Sequence, residues 1–268
     1  MKRRQLMGYA GAGLASALFA NLGSGLRVNA QSGGSLSIQW LGHTSFLFTG
    51  GGTKILVNPF RTIGCTAGYR PPKVAADLVL ISSQLLDEGA IEGLPGQPKL
   101  MYQPGVYKFN DINFQGIGID HDRVGGKRFG INTAWRWKQA GVNILHLGGA
   151  AGPIRDPNKL LEERILTGGP TRLDVLLVPV GGSAKAYNAQ EAKQVINELK
   201  PRLVIPTHYR TQAADKETCK GEFDIAPVDN FLTVMSGTKV RRSNSDTITV
   251  SQSSLPKNRT IQVFSYNF

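Results

Sequence analysis

The chain has 268 residues, enough for one large domain or two small ones, and its 41% hydrophobic content with 32 glycines and 14 prolines excludes a disordered or fibrous protein. A formal charge of +12 would suit a polyanion. The sequence nevertheless has no zinc-finger spacing, no aromatic-glycine RNA-binding signature and no basic heptad region, so nucleic acid is excluded as a partner.

Residues 1–30 form an export signal of twin-arginine type. Lys2, Arg3 and Arg4 make a basic start, Leu6 to Leu22 is apolar or small, and Val28-Asn29-Ala30 resembles a small-residue cleavage site. The apolar stretch is glycine-rich and shorter than the roughly 20 residues a membrane helix needs, so no stable span is expected after cleavage. This predicts an exported protein of the periplasm or thylakoid lumen. The remainder carries 27 basic against 19 acidic side chains, a formal +8. Export would place both cysteines, Cys65 and Cys219, in an oxidising compartment, which predicts a disulfide between them.

A single domain is expected over 35–268. Strand-like runs cover Leu36 to Leu41, Ser45 to Phe48 and Lys54 to Val57, with Gly50-Gly51-Gly52 as one of the turns. Ala76 to Ile81 is a further apolar run, and Ser82 to Glu88 is read as opening a short helix. Strands are predicted over Ile112 to Ile117, Ile131 to Trp137 and Asn143 to Leu147, and a helix over Pro157 to Leu166. Val175 to Val178 is a continuous apolar run with β-branched residues, the pattern of a strand buried on both faces. Asn188, with Glu191 three residues on, caps a helix whose buried face is Ala192, Val195, Ile196 and Leu199. Leu203 to Ile205 returns as a strand and delivers His208 to its end, where α/β domains commonly place their chemistry; a structural imidazole is the alternative. The tail offers strands at Leu232 to Met235, Thr247 to Val250 and Thr260 to Phe264. The cluster Lys239, Arg241, Arg242 reads as an exposed strand face.

Six segments carry a family resemblance: WLGHTSFLF at 40–48, KILVNPF at 54–60, ADLVLIS at 76–82, NILHLGG at 143–149, DVLLVPVGG at 174–182 and KPRLVIPTHY at 200–209. Over about 35–212 the chain resembles the metallo-β-lactamase fold, in the branch similar to L-ascorbate-6-phosphate lactonase and related metal-dependent hydrolases. The resemblance implies an α/β four-layer αββα sandwich. It also implies a metal loop His-x-His-x-Asp-His, which here reads Ser83, Leu85, Asp87 and Glu88 at the ligand places. His121 resembles the later histidine, Gly149 stands where the bridging aspartate would be, His208 matches the final ligand, and Asn58 replaces an aspartate.

Chemistry limits what this degenerate set can hold. A catalytic zinc takes three protein ligands and an open position for water. Leu85 has no lone pair and Ser83 is a weak neutral donor, so His121 alone cannot keep the first site. Asp87, Glu88 and His208 could hold one divalent metal (Zn, Mn or Mg), the two carboxylates shifting preference towards the harder ions. With one ion bound, the protein would hydrolyse a lactone or phosphoester, with His121 or His146 as catalytic proton carriers and His43, Asn58, Ser83 and Gly149 lining the pocket. With none, it would be a non-catalytic anion-binding or protein-interaction scaffold. Arg61, Arg70, Lys73, Arg123, Lys127, Arg128, Lys185 and Arg210 fall in segments expected around the cleft mouth and suit a small anionic molecule. A serine hydrolase built on Ser83 and His208 lacks the nucleophile-elbow glycine pattern.

Overall fold

A computed structural model describes residues 34–153 and 173–268. Residues 1–30, read as an export signal, and the helix expected over 157–166 lie outside the described residues. Fourteen strands are assigned to two sheets. In the first, β1 (Leu36–Gly42), β2 (Ser45–Gly50) and β3 (Thr53–Val57) make an antiparallel meander. It continues in parallel through β4 (Leu78–Leu80) and β5 (Lys99–Met101), and β13 (Thr247–Val250) closes the other edge, giving the order β13-β1-β2-β3-β4-β5.

The second sheet has eight strands. β6 (Gly105–Phe109), β7 (Ile112–Asp120), β8 (Ile131–Gln139) and β9 (Val142–His146) run antiparallel. β10 (Val175–Pro179), β11 (Leu203–Thr207), β14 (Thr260–Val263) and β12 (Lys239–Arg242) then add in parallel, in the order β12-β14-β11-β10-β9-β8-β7-β6. Every residue of β10 and β11 is buried, as their unbroken apolar runs predict for strands covered on both faces. β12 is exposed along its whole length, so the basic cluster is indeed a solvated strand face.

The main core lies between the sheets. Phe46 and Phe48 of one meet Trp135 and Trp137 of the other, and the Phe48 and Trp137 rings pack edge to face at 5.0 Å. Helix α1 (Ala189–Leu199) covers β10 with Ala192, Val195, Ile196 and Leu199. The Asn188 side chain accepts from the backbone of Gln190 and Glu191 while Glu191 accepts from Asn188, a complete capping box. Over the outer face of the six-stranded sheet, Leu41, Leu56, Val79 and Ile81 are covered by Val74, Ala76 and Leu94 from irregular segments. The fold is the metallo-β-lactamase fold, mixed α/β with two large sheets and few helices.

Two sequence expectations are corrected. Leu232 to Met235 is not a strand but the end of α2 (Val228–Val234), where Val228, Phe231 and Met235 are buried at helical spacing. Ser82 to Glu88 forms no helix. A single turn closes through Glu88 N–H and Gly89 N–H on the Leu85 carbonyl and goes no further, while Asn58 and Ser83 accept from the Ser82 and Leu85 N–H groups. The disulfide between Cys65 and Cys219 is present and ties the segment after β3 to the segment after β11.

Candidate metal centre

Four left-handed backbone positions mark one end of the sandwich. Asn110, Ala140 and Lys200 adopt positive φ in hairpin turns or a helix cap, as such sites usually do. His43 (φ 52°), Asn58 (φ 50°), Ser183 (φ 79°) and His208 (φ 52°) instead follow strands β1, β3, β10 and β11 at the same end of the sheets. Strained non-glycine residues held together in this way are typical of functional sites. His43 occupies the two-residue turn between β1 and β2, where Asn or Gly is usual.

His43 and His208 lie ring against ring, centroids 4.4 Å apart and tilted by 45°, and both are buried. Gly181 makes room behind them, since a Cβ there would sit 2.1 Å from the His208 carbonyl oxygen. Asp87 arrives from the β4 loop with Oδ2 at 3.8 Å from His43 Nε2. One ligand atom from each of His43, Asp87 and His208 falls within 4.8 Å of the others, the arrangement of a mononuclear metal site. Lys185, from the loop after β10, forms an ion pair with the same Asp87 oxygen. Burial alone would raise the Asp87 carboxyl, but the Lys185 charge and then His43 outweigh it and hold the group well below the usual carboxylate range. Burial pushes the His208 imidazole far down, and the neighbouring His43 adds to this.

Glu88, expected to share an ion with Asp87 and His208, points elsewhere. Its Oε2 accepts from Ser83 Oγ at 3.1 Å and lies 3.5 Å from His121 Nε2. Asp87 and Glu88 are consecutive, so the turn sends their carboxylates into separate compartments. Burial first, then the Asp87 charge, raises Glu88 to about 8, and burial lowers His121 to about 4. Gly149 closes this compartment: a Cβ on it would lie 2.5 Å from His121 Nε2 and 2.6 Å from Glu88 Oε1.

His146, expected as a proton carrier, is engaged on both ring nitrogens. Its Nε2 donates to the Thr44 carbonyl and its Nδ1 accepts from the Gly148 N–H, both at 3.0 Å, so both nitrogens are committed. Asn58 is a brace: Oδ1 accepts from Ser82 N–H at 2.8 Å and Nδ2 reaches Thr44 Oγ1 at 3.5 Å. Several of the expected cleft cations are also spoken for. Arg123 pairs with Glu191, Arg128 with Glu222, Arg210 with Asp224 and Arg61 with Glu92, while Arg70 donates to the Asn267 carbonyl. A cleft of about 360 Å³ is nevertheless lined by Phe60, Arg61, Ile63, Lys73 and Glu92, and the Phe60 ring also faces His43 at 6.4 Å.

The donor set fits one divalent ion. His43 Nδ1 and Nε2 and His208 Nδ1 are buried and without a hydrogen-bond partner among the described residues, and two imidazoles with one carboxylate make a recognised set for zinc, iron or manganese. A second ion bridged from position 149 does not fit, because the glycine leaves no donor and no space for one.

Sequence comparison gives the class to which this fold belongs. The family model of the β-lactamase superfamily domain matches residues 37–208, and the chain belongs to the metallo-β-lactamase superfamily. A UPF0173 metal-dependent hydrolase of Carboxydothermus hydrogenoformans is 28% identical over 198 residues, covering 66% of this chain and 85% of the relative. One from Thermococcus onnurineus is 28% identical over 213 residues, covering 69% and 91%. Among solved structures, a Thermotoga maritima protein assigned as a Zn-dependent hydrolase of the superfamily superposes with a TM-score of 0.62 at 28% identity, covering 85% of this chain and 98% of its own. The metallo hydrolase Igni18 of Ignicoccus hospitalis shares the fold, with a TM-score of 0.57 at 17% identity over 81% and 98%.

Proposed function

We propose that this is an exported hydrolase of the metallo-β-lactamase superfamily that works with one divalent ion held by His43, Asp87 and His208. The observation that carries the reading is the convergence of these three side chains, with partnerless ring nitrogens on both histidines. Membership of a family whose relatives are metal-dependent hydrolases supports it. Export to the periplasm or thylakoid lumen is supported by the basic and apolar N-terminal sequence and by a disulfide of the kind that persists in oxidising compartments.

A divalent ion in such a site supplies Lewis acidity and a water acidified towards neutral pH. The chain's own groups provide proton handling: Glu88 keeps its proton near neutrality and faces an uncharged His121 across 3.5 Å. Proton passage between them is the role left to His121. The substrate class we favour is a small anionic lactone or phosphoester, since the cleft beside Phe60 combines an apolar floor with Arg61 and Lys73.

Elemental analysis of the purified protein after dialysis against zinc or manganese tests the site. The expected result is one equivalent per chain, lost in His43→Ala, Asp87→Ala and His208→Ala and kept in His121→Ala. Two tightly held ions, or unchanged uptake in the three variants, would refute it. Absence of any uptake would favour the scaffold reading, in which the Lys185–Asp87 pair is the whole of the centre.

A further inference from the structure

We propose that Lys185 is a tethered cation that takes the place of the divalent ion on Asp87, so that the centre exchanges between a lysine-closed form and an ion-loaded form. This rests on the three-residue site proposed above and adds its regulation. Three observations carry it.

The first is position. The Lys185 ammonium is bonded to Asp87, the sole carboxylate of the three-donor group. Its +1 charge cancels the −1 charge that a divalent ion would otherwise find there, and a second cation close to an ion opposes binding strongly in a poorly solvated site. The second is that the loop is built to deliver this side chain. Arg123 donates to the Ser183 and Ala186 carbonyls, both at 2.8 Å, while gripping Glu191 at the start of α1. Ala184 N–H donates to the Glu222 carbonyl at 2.9 Å, and Tyr187 anchors the far end through its N–H to Ala150 and its hydroxyl to Gly152. Lys185 thus sits at the centre of a loop pinned on both sides, with its side chain only 12% exposed. A solubilising surface lysine needs none of this.

The third is energetic. A buried ion pair is a poor stabiliser, since desolvation of both charges offsets most of their attraction. An apolar pair of the same size would serve folding about as well, so net stability alone does not account for a lysine set against a carboxylate with 12% and 21% of their side chains exposed. Lysine is also the cation best suited to leave again, because its four-carbon stem can swing the ammonium to solvent by rotamer change while the backbone stays fixed.

The test measures Zn²⁺ affinity by equilibrium dialysis, and Co²⁺ affinity by ligand-field absorption, for wild type, Lys185→Met and Lys185→Gln. His208→Ala in the Lys185→Met background is the fourth protein. Near-UV circular dichroism checks folding of each, and Lys185→Gln retains a hydrogen-bond donor should the methionine variant lose structure. Both uncharged variants should bind at least about tenfold more tightly than wild type, and the added His208→Ala should return binding to background. Equal affinity in wild type and both variants would overturn the lysine-closed form while leaving the single-ion site intact, provided His208→Ala still abolishes binding. No binding in any protein would remove both proposals.

Discussion

Gly149 leaves no room for a side chain between His121 and Glu88, and its replacement has a calculable cost. The residue has an ordinary backbone conformation, so the constraint is space alone. An added Cβ would approach His121 Nε2 to 2.5 Å and Glu88 Oε1 to 2.6 Å, nearer than real Cβ atoms come to anything. Neither neighbour can yield, since His121 is wholly buried and Glu88 is 1% exposed. Overpacking of this kind costs about 1–3 kcal/mol, which sets the expectation for Gly149→Ala. Gly149→Asp should lose more, because its carboxylate would be buried against Glu88 with no cation of its own. Removing one colliding group should recover part of the loss. In a cycle of Gly149→Ala, Glu88→Ala and the double variant, urea unfolding should show a favourable coupling above about 0.5 kcal/mol. The His121 contact remains, so recovery should be incomplete. Wild-type stability for Gly149→Ala, or strict additivity in the cycle, would refute the steric account of this position.

Two further outcomes follow from burial and covalent structure. Cutting the disulfide by Cys65→Ser with Cys219→Ser frees a closed segment with ends 154 residues apart; the chain-entropy relation gives about 5 kcal/mol as an upper figure. The measured loss should be smaller, because the Gly68–Ala213 and Asp215–Gly64 backbone bonds and the Tyr69–Thr211 contact still bridge the same segments; an unchanged denaturation midpoint would show the bridge to be incidental. Acid should destabilise the fold through His146, which burial lowers to about 4 from the 6.5 of an exposed histidine. Between these values the unfolded chain binds the proton and the folded one does not. Stability attributable to His146 is therefore intact above about pH 6.5 and falls by about 3 kcal/mol as the pH drops to about 4. His146→Gln should flatten this limb relative to wild type, and parallel pH profiles for the two proteins would contradict the assignment.

The legible parts of the fold were those in which one physical signal acts locally. β10 and β11 announce themselves by unbroken apolar runs, and α1 by its capping box and four buried positions at helical spacing. β5 and β6 gave no such signal: one is three residues long, the other half-exposed, and both lie towards sheet edges, where side-chain patterning relaxes. At α2 the apolar residues Phe231, Leu232, Val234 and Met235 satisfy either period, and packing against α1 decided for the helix.

The centre divides along the same line. His208 could be placed at the end of a strand from its own segment, while Asp87 and the ligand role of His208 were visible only through the family resemblance. The role of Glu88 could not be placed, since it depends on which way one turn directs two adjacent carboxylates. His43 reaches His208 only because β1–β2 of one sheet and β11 of the other meet at the same end of the sandwich, a tertiary fact that no sequence period encodes. Lys185 was visible as a basic residue of the cleft, but its partner was not, because the loop's path is set by Arg123 and Tyr187 from outside it. Ser83, Leu85 and Gly149 stood out only through the family resemblance, not through any pattern of their own. What they leave is not an empty pocket: two histidines and one carboxylate remain converged, and an ammonium from a pinned loop already balances the carboxylate. Asp87 carries its charge beside Lys185, whose ammonium, ahead of His43, holds the carboxyl well below the usual carboxylate range.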